Sequence, residues 1–453
     1  MMIKDSASFR DRSGYVFSWE GRIYRWISPE YLPQYRHLMD SGLYKALIDR
    51  RLMVAHKEVE LDGFDVGDGI VIQPKRIPFI SYPYEWCYEQ YQDAALATMD
   101  IQNLALEYGM VLKDASAYNI QFLTGYAVLI DTLSFDFYKD GSPWGSYGQY
   151  CRHFLAPLML MSNVDFRLGR LMQSFIDGIP LDLASTLMKG GGMAAQMHIH
   201  AHAKSVMKHD DDGKKGTVKQ AVMKKSALIA FCNSLRKDTA KLQPMKTVTE
   251  WGDYYSNTNY TDAAATSKEV IVRDLLGEVE PLKNVWDLGA NDGRYSRIAN
   301  ELGANVVAFD IDENAVALNW KEVKSSHRKM LPLILDLSAP SPAIGFANEE
   351  RKTIGDRQRP DCIMMLAVIH HMAISNNLPF ERIAAWIAGM TDTLIIEFVP
   401  KDDSQVQVLL ATREDIFPDY DEPHFETALN KYFRLEKKVP VDGSRRTMYL
   451  WTR

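Results

Sequence analysis

A strand, a tight turn, a helix and a second strand near residue 290 constrain the fold of this chain more than any other feature. The apolar run 284–288 carries one acid and leads into Gly289, and Gly293 then opens a helical pattern. A second apolar run, 305–310, ends on Asp310. Because two strands joined by a crossover helix pair in parallel, this stretch predicts a parallel sheet.

Strands and helices alternate throughout the C-terminal half. We predict strands at 284–288, 305–310, 332–335, 361–367 and 392–399, and helices at 266–277, 293–302, 313–323, 379–390 and 403–411. Such alternation predicts an α/β fold, a Rossmann-like, mostly parallel sheet with helices on both faces. Residues 432–441 and 446–451, joined through Asp-Gly-Ser, predict a terminal antiparallel hairpin.

The N-terminal half mixes strands and helices without that regularity, which predicts an α+β domain. We predict a hairpin at 15–27, strands at 69–74, 77–81, 118–122 and 126–130, and helices at 35–54, 89–108, 147–161, 166–175 and 218–242. A loop at about 205–217 is rich in Lys, Asp and Gly, and it buries too little apolar surface to become ordered. Gln243-Pro244 is the expected boundary between two domains, 1–245 and 246–453.

Composition narrows the functional classes. The chain has 453 residues, 46% of them hydrophobic, and a net charge of -7, which argues against a generally basic nucleic-acid binder. The four cysteines are far apart, with no metal-site spacing or disulfide framework, and are expected to be reduced thiols of a cytoplasmic protein. No apolar run has the length of a membrane span. The oligomeric state stays open.

The turn at residues 289–293 favours a cofactor without phosphates. Glycine at both ends allows a close backbone approach, but Asn291 and Asp292 stand where a dinucleotide-binding loop has further glycine. The charge of Asp292 would also repel a pyrophosphate at the helix start. Asp310 ends the second strand, where an acid can accept both ribose hydroxyl protons. Asp336, after the third strand, can accept from an adenine amino group. The alternative is that the glycines only make a tight turn.

With Asp310 and Asp336 on the next two strands and a terminal hairpin, the motif Asp287-Leu-Gly-Ala-Asn-Asp-Gly resembles class I S-adenosylmethionine-dependent methyltransferases over about residues 246–453. By position, the resemblance implies that the methionine part of the cofactor contacts Asp287, Gly289, Asn291 and Gly293. It also implies that the ribose contacts Asp310 and that the adenine edge contacts Asp336. The stretches 251–255 and 396–401 look like the bacterial methyltransferases related to the nodulation protein family NoeA.

Two histidines at the end of the fourth predicted strand are candidates for catalysis. His370 and His371 follow Leu366-Ala-Val-Ile, and ligands of open α/β sheets lie beyond the carboxyl ends of the strands. A neutral imidazole there can take a proton from a hydroxyl during methyl transfer. A paired His here resembles O-methyltransferases, and the Asn/Asp-Pro-Pro-Tyr motif of N-methyltransferases is absent. The alternative is a histidine that only forms hydrogen bonds within the core.

Other polar residues have two interpretations each. Glu397, at the end of the fifth predicted strand, either acts in catalysis, by orienting a base or binding the acceptor, or is a buried paired acid. Residues 254–260 and Lys268 precede the sheet, where they close over the cofactor or only dock a helix. Arg351 and Arg445 are candidates for an anionic substrate, or are simply solvated.

A second motif lies in the N-terminal half. Asp114 and Asn119 are five positions apart, and Asp131 follows twelve positions later after a predicted strand pair. This resembles the aminoglycoside phosphotransferase branch of the kinase fold, in which the Asn and the last Asp hold metal. The resemblance implies metal ligation by Asn119 and Asp131 only in an active domain. No glycine-rich phosphate loop or Val-Ala-Ile-Lys strand is visible, so a degenerate kinase-like domain, an active kinase and coincidence all remain open.

Histidines at 198, 200, 202 and 209 do not share one helical face, so a polar helix end is favoured over a metal site and no metal site is predicted. The sequence thus predicts a methyltransferase that uses S-adenosyl-L-methionine to methylate oxygen on a glycan or another hydroxylated metabolite. The alternatives are a bifunctional kinase–methyltransferase that modifies a polysaccharide and a non-catalytic scaffold that binds S-adenosylmethionine. The acidic balance makes a nucleic-acid partner less favoured.

Overall fold

Two compact units make up the chain. The computed structural model describes residues 2–64, 67–188, 222–245, 262–411 and 413–453. The first unit comprises Met1–Lys246 and Ala343–Arg351, and the second comprises Thr247–Pro342 and Lys352–Arg453. A short piece of the C-terminal half, Ala343–Arg351, therefore belongs to the first unit.

Three antiparallel sheets are formed by the described strands of the first unit. The strands are β1 (Met2–Lys4), β2 (Gly14–Trp19), β3 (Arg22–Ile27), β4 (His56–Glu58), β5 (Ile70–Pro74), β6 (Met110–Leu112), β7 (Ile120–Leu123), β8 (Tyr126–Leu129) and β9 (Phe135–Phe137). The largest sheet has the order β1-β2-β3-β5-β4, and β6 pairs with β9 and β7 with β8. The predicted hairpin at 15–27 is confirmed, because β2 and β3 pair through a tight turn.

One long helix is central to the packing of the described helices of the first unit. They are α1 (Leu32–Asp40), α2 (Leu43–Asp49), α3 (Tyr88–Glu107), α4 (Tyr147–Tyr150), α5 (Ala156–Asn163), α6 (Leu181–Leu187) and α7 (Lys225–Lys241). A π turn, Cys151–Leu155, joins α4 to α5, and a 3₁₀ helix, Phe166–Gln173, follows. The central helix is α3, whose residues Tyr91, Ala95 and Gln102 are all fully buried.

Two predictions in this unit are wrong for identifiable reasons. No strand forms at 77–81, because the side chain of Gln121 satisfies the backbone of Ser81 instead: Ser81 N donates to Gln121 Oε1 at 2.8 Å, and Gln121 Nε2 donates to Ser81 O at 2.9 Å. The single helix predicted at 35–54 is two helices, because Gly42 has a φ of 91°, which ends the right-handed helix.

The described strands of the second unit form one seven-stranded sheet. The strands are β10 (Asn284–Leu288), β11 (Asn305–Asp310), β12 (Met330–Ile334), β13 (Cys362–Met365), β14 (Thr393–Phe398), β15 (Arg434–Pro440) and β16 (Thr447–Thr452). Their order is β12-β11-β10-β13-β14-β16-β15; the first five are parallel, and β16 is antiparallel to both of its neighbours. This confirms the predicted Rossmann-like sheet with a terminal antiparallel hairpin.

Helices connect these strands. They are α8 (Asp262–Leu276), α9 (Arg294–Glu301), α10 (Glu313–Ser326), α11 (Ile354–Arg357), α12 (Phe380–Ala388), α13 (Ser404–Leu410) and α14 (Glu422–Asn430). Helix α14 was not predicted, although Asp421 caps its N-terminus by accepting from His424 N and Pro423 lies in its first turn. The strands β12 and β13 are buried along their whole length, as a parallel sheet covered on both faces requires.

Within the described part of the chain, no helix is both long enough and apolar enough to cross a membrane.

Candidate active site

A cavity of about 410 Å³ lies in the second unit, beyond the carboxyl ends of strands β10 to β13. Its volume falls within the range of small-molecule sites, which is ~300–1,000 Å³. Six of the nine residues predicted to bind the cofactor or act in catalysis line it: Asp287, Gly289, Asn291, Asp310, Asp336 and His371. Three of the predicted residues do not, namely Gly293, His370 and Glu397.

The glycine turn between β10 and α9 is shaped by close packing. Gly289 and Gly293 have φ angles of 80° and 82°, which disfavour any residue with a Cβ. A Cβ on Gly289 would lie 2.2 Å from Val368 Cγ2, and one on Gly293 would lie 2.4 Å from the amide of Asn319. The turn needs glycine at position 293 because the side chain of Asn319 approaches closely, a contact that the sequence did not indicate. Gly289, in contrast, combines a packing role with a place on the cavity wall.

Asp310 lies at the end of β11 and holds the turn in place. Its Oδ2 accepts from Asn291 N at 2.7 Å, and its Oδ1 accepts from Asp312 N at 2.9 Å. Burial raises the pKa of this carboxyl to about 6, against the opposing effect of these backbone donors. Each carboxylate oxygen has a second lone pair, so Asp310 can still accept hydrogen bonds from a ligand in the cavity.

Asp336 follows β12 on the adjacent part of the cavity wall. Its Oδ1 accepts from Ser338 N at 2.8 Å and from Ser338 Oγ at 2.6 Å, which fixes the start of this loop. Ile311 and Leu337 line the cavity beside it, and Ile311 is 49% exposed. Neither of these two apolar residues was predicted from the sequence to be part of the site. An exposed isoleucine next to a carboxylate suits a flat, partly polar ligand such as a nucleobase.

Asp287 lies deep in the cavity wall, on β10, and is only 1% exposed. Its Oδ2 accepts from Ser296 Oγ on α9 at 2.6 Å. Burial raises the pKa of Asp287 to about 7, while Ser296 and the charge of Lys268 act in the opposite direction. The carboxyl is therefore poised to change its charge when a cation binds nearby.

The two histidines have different environments. His371 lines the cavity and begins a π turn, His371–Ser375, whereas His370 is 2% exposed and its Nδ1 has no hydrogen-bond partner within the described residues. Their ring centroids are 4.1 Å apart. Burial lowers the pKa of His371 to about 4 and that of His370 well below its usual value, so both imidazoles are neutral at pH 7.

Glu397 lies in a buried network of charges behind the cavity. Its side chain is fully buried; its Oε2 is 2.6 Å from Lys268 Nζ, and its Oε1 is 3.8 Å from Arg446 Nη1. Arg446 also donates to both oxygens of Asp403, at 2.8 and 3.1 Å. Of the two interpretations of Glu397, the buried paired acid agrees with this position. Arg446 was missed, since nothing in its local sequence distinguishes it from a solvated arginine.

Lys268 connects this network to the cavity. Its side chain is 3% exposed, its Nζ lies 4.6 Å from the ring centroid of Tyr295, and both residues line the cavity. Burial lowers the pKa of Lys268, although the charge of Glu397 opposes that effect. The cavity wall thus holds a buried cation near Asp287, at the end where the glycine turn lies.

A further part of the cavity wall was not predicted from the sequence. Met372, Ser375 and Asn376 come from the segment after His371, and Leu409 comes from α13. These side chains offer a hydroxyl, an amide and two apolar groups but no charge. The sequence carried no signal for them because α13 and the π turn are far apart in the chain and meet only through tertiary packing.

The second predicted motif comes together in the first unit. Asp114 accepts from Gln149 Nε2 at 2.7 Å, and Asn119 Nδ2 donates to Ser134 Oγ at 3.3 Å. The pKa of Asp114 is raised by burial first and then by the negative charge of Asp131. The three residues spaced along the sequence therefore interact in one region.

Asp131 is already engaged by its neighbours. It is 8% exposed and forms an ion pair with Arg25 on β3. Its Oδ1 also accepts from Leu133 N at 3.1 Å, and its Oδ2 accepts from Ser134 Oγ at 2.5 Å. Arg25 was missed because the sequence places it within an ordinary hairpin.

Several other candidates lie elsewhere. The guanidinium of Arg351 lies 4.0 Å from the ring centroid of Tyr118 in the first unit, and Arg445 pairs with Asp402; neither arginine lines the cavity. The histidines at 198, 200, 202 and 209, the loop at about 205–217 and residues 254–260 lie outside the described residues. Within the described ranges, no group of three or more His, Cys, Asp or Glu residues could hold a metal ion.

Comparison with known proteins gives one relative along nearly the whole chain. No protein-family model matches the sequence. Nodulation protein NoeA of Rhizobium meliloti (strain 1021) is 32% identical over 464 residues, which cover 99% of this chain and 96% of NoeA.

Several solved structures, among them two methyltransferases and WbdD, match a little under half of the chain. Magnesium protoporphyrin IX methyltransferase ChlM from Synechocystis PCC 6803, with bound SAH, has a TM-score of 0.31 and 18% identity and covers 45% of this chain and 92% of its own. N-methyltransferase NodS from Bradyrhizobium japonicum WM9 has a TM-score of 0.32 and 10% identity, covering 42% and 97%. WbdD has a TM-score of 0.31 and 16% identity, covering 48% and 46%.

Proposed function

The chain belongs to the family of the nodulation protein NoeA. From this membership and from the lining of the cavity, we propose that it is an S-adenosylmethionine-dependent methyltransferase. We propose further that it acts on a hydroxyl group of a glycan or another hydroxylated metabolite. The observation that carries the proposal is a set of three carboxylates, Asp287, Asp310 and Asp336, at or just beyond the ends of three neighbouring parallel strands and facing one cavity.

The residues present fit this cofactor. Asp310 would accept hydrogen bonds from the ribose hydroxyls, and Asp336 would accept one from the adenine amino group, with Ile311 and Leu337 as apolar neighbours on the cavity wall. Asp287 would complement the positive charge of the amino acid part. The acidic wall and the presence of Asp292 at the start of α9 disfavour a phosphate-bearing cofactor.

S-adenosylmethionine supplies an electrophilic methyl group when it is bound. The residues of this chain then orient the acceptor in line with that group, because displacement at carbon needs alignment more than it needs covalent participation by the protein. His371 is the base: its neutral imidazole takes the proton that the acceptor oxygen loses as the new C–O bond forms. A pKa of about 4 in the free protein keeps the imidazole unprotonated at neutral pH.

The acceptor side of the cavity supports an uncharged, hydroxyl-bearing acceptor. Ser375 and Asn376 can form hydrogen bonds with hydroxyl groups, and Met372 and Leu409 can pack on the apolar faces of a sugar ring or a similar metabolite. On this side the described lining has no arginine, lysine or carboxylate to recognise a charged acceptor.

The first unit is proposed to be a degenerate kinase-like domain that serves acceptor binding or packing. Supporting this, Asp114, Asn119 and Asp131 have kinase-like spacing and interact. The positive charge of Arg25, paired with Asp131, disfavours a metal ion at this carboxylate and therefore phosphoryl transfer.

Calorimetry with S-adenosylhomocysteine tests the cofactor assignment. We expect binding to the unaltered protein and a loss of about 10–100-fold in affinity for Asp310→Ala, the equivalent of charge-assisted hydrogen bonds worth ~1.5–3 kcal/mol. Asp361→Ala is the matched control, because Asp361 also accepts two backbone N–H groups, at 3.0 and 2.7 Å, but does not line the cavity. Equal losses in both variants, or no binding at all, would contradict the assignment.

Transfer of a radiolabelled methyl group to neutral oligosaccharides tests the reaction. His371→Gln should reduce the turnover about 100-fold or more, as expected for loss of a general base. His424→Gln, which changes an exposed histidine outside the cavity, should leave the turnover within about twofold. A product methylated on nitrogen, or full activity of His371→Gln, would refute the O-methylation proposal.

A further inference from the structure

The segment between β13 and α12 adopts a conformation that its own sequence does not favour. Ala367 and Asn377, near its two ends, have φ angles of 56° and 55°, in the left-handed region. Between them lies the π turn His371–Ser375, in which Asn376 N donates to His371 O at 3.1 Å. Isolated π turns are rare, and left-handed non-glycine residues persist only where their surroundings hold them. Something outside the segment must therefore stabilise it.

Arg413 is in a position to do so. Its Nη1 donates to Ile374 O at 2.5 Å, and its Nη2 donates to the side-chain oxygen of Asn377 at 2.7 Å. Ile374 O belongs to the end of the π turn, and Asn377 is the left-handed residue that follows. One guanidinium therefore holds the last turn and the exit of the segment in a fixed relation.

Only an arginine suits this contact. A guanidinium presents several N–H groups in one rigid plane, so it can reach two acceptors side by side, whereas a lysine ammonium is a point charge on a flexible chain. The face of the guanidinium lies 4.8 Å from the ring centroid of Phe417, which restricts the plane further. Arg413 itself does not line the cavity, so it does not contact a ligand there.

We propose that Arg413 is a positioning residue, which sets the imidazole of His371 and the polar groups of Ser375 and Asn376 in the geometry needed for the acceptor. This inference rests on the proposed function. It predicts that removal of the two hydrogen bonds from Arg413 leaves cofactor binding intact, since Asp310 ends β11 and Asp336 follows β12. The same change loosens the acceptor side of the cavity.

Two measurements that need no acceptor test the proposal. The first is hydrogen exchange of the amides of Asn376 and Leu378, which donate to His371 O and Met372 O. Their exchange should be about tenfold faster in Arg413→Ala, because local opening becomes easier.

The second is the pH profile of carbethoxylation of His371 by diethyl pyrocarbonate, which reacts with neutral imidazole. His371 faces the ring of His370 and the charge of Arg446, and the charge of Lys268 acts on His370. Burial lowers the pKa of His371 to about 4, so the rate of carbethoxylation in the unaltered protein should be level from pH 5 to 8. A looser segment admits water around the imidazole, so the inflection of the pH profile should move up towards about pH 6 in Arg413→Ala.

Arg359→Ala is the matched control. Arg359 also donates to a carbonyl and to a side-chain oxygen, Gly389 O at 3.1 Å and Asp392 Oδ1 at 2.6 Å, but it lies away from the cavity. Neither the exchange nor the pH profile should change in this variant. Identical results for Arg413→Ala and Arg359→Ala would overturn the proposal. If Arg413→Ala does not fold, Arg413→Lys is the test variant, because lysine keeps the charge but cannot make both hydrogen bonds. It should show the same faster amide exchange and the same shift of the pH profile. An unchanged pH profile in Arg413→Lys would refute the proposal.

Failure of this inference is separable from failure of the proposed function. S-adenosylhomocysteine should bind Arg413→Ala within about threefold of its affinity for the unaltered protein. A protein that shows both Arg413 effects but never binds S-adenosylhomocysteine contradicts the function and not the positioning role. A protein that binds it but shows neither effect contradicts the positioning role alone.

Discussion

At the scale of single residues, Gly289 combines a close packing contact with a place on the cavity wall. The space that a side chain would fill is taken by Val368, which itself lines the cavity. The turn can follow this path only without a Cβ, because both the left-handed φ and the contact exclude one. Any side chain at position 289 must therefore displace Val368 or the turn.

Gly289→Ala should destabilise the fold by about 2–4 kcal/mol, combining strain from a left-handed φ with overpacking. Gly303→Ala is the control, because Gly303 has a φ of 101° but open space around its Cα. It should cost only about 1–2 kcal/mol, the strain alone. Urea unfolding measures both. Equal losses of stability would show that Val368 moves aside freely and that the contact is unimportant.

The carboxyl of Asp310 should make cofactor affinity depend on pH. Burial raises its pKa to about 6, so in the free protein it is protonated below that pH, and a protonated carboxyl accepts fewer hydrogen bonds. Affinity for S-adenosylhomocysteine should be level above about pH 8, decline as Asp287, with a pKa of about 7, is protonated, and fall more steeply below about 6, where Asp310 is protonated as well. Calorimetry from pH 5 to 9 measures this, and Asp310→Asn should lack the steeper fall below pH 6 while keeping the decline that belongs to Asp287. An identical profile in that variant would assign the proton to another group.

At the scale of elements, one buried charge network joins α8, β14 and the start of β16. Lys268 and Arg446 both approach Glu397, whose side chain is completely buried. Removal of this buried acid would take away the carboxylate that pairs with Lys268, whereas Arg446 would keep its ion pair with Asp403. The acid at the end of the fifth strand thus has a structural explanation that does not require contact with a ligand.

Glu397→Gln should destabilise the protein by about 3–5 kcal/mol, because it removes the carboxylate that lies 2.6 Å from the buried ammonium of Lys268. The double variant Glu397→Gln with Lys268→Met should recover part of that loss. Glu301→Gln is the control, since the pair of Glu301 with Arg273 is nearly half exposed and worth at most ~1 kcal/mol. Denaturant unfolding of the variants decides. A cost for Glu397→Gln no larger than that of the control would show that the network does not stabilise the sheet.

At the scale of the whole molecule, each unit has its own set of polar residues, and the two sets differ in whether they line a cavity or pair with neighbouring groups. In the second unit, carboxylates and a neutral histidine line a cavity. In the first unit, the corresponding acids are occupied by groups of the same unit, above all Asp131 by Arg25. This contrast predicts that one unit binds a small ligand and the other does not bind nucleotide.

Ligand-induced stabilisation of the intact chain tests this contrast. S-adenosylhomocysteine at 100 times its Kd should stabilise the unit that binds it by about 2.7 kcal/mol. ATP with magnesium at the same concentration should have no effect, and Asp131→Asn should not change that result. Thermal unfolding with each ligand measures the shift. Stabilisation by ATP and magnesium that is lost in Asp131→Asn would establish the bifunctional alternative instead.

The sequence by itself determined the order of strands and helices along the second unit, except for α11 and α14, and it determined the acids at the strand ends. These features depend on hydrophobic periodicity and on βαβ connections, which involve residues close together in the chain. For the same reason, the spacing of Asp114, Asn119 and Asp131 was visible without coordinates.

Only the tertiary structure decided which of these polar groups face the cavity. Glu397 and His371 both lie near strand ends, yet one is enclosed by Lys268 and Arg446 and the other faces the cavity. Likewise, no local pattern indicates that Ala343–Arg351 belongs to the first unit or that Arg413 grips the π turn. Such contacts join residues far apart in the chain, and they are set by packing geometry, which local periodicity does not encode.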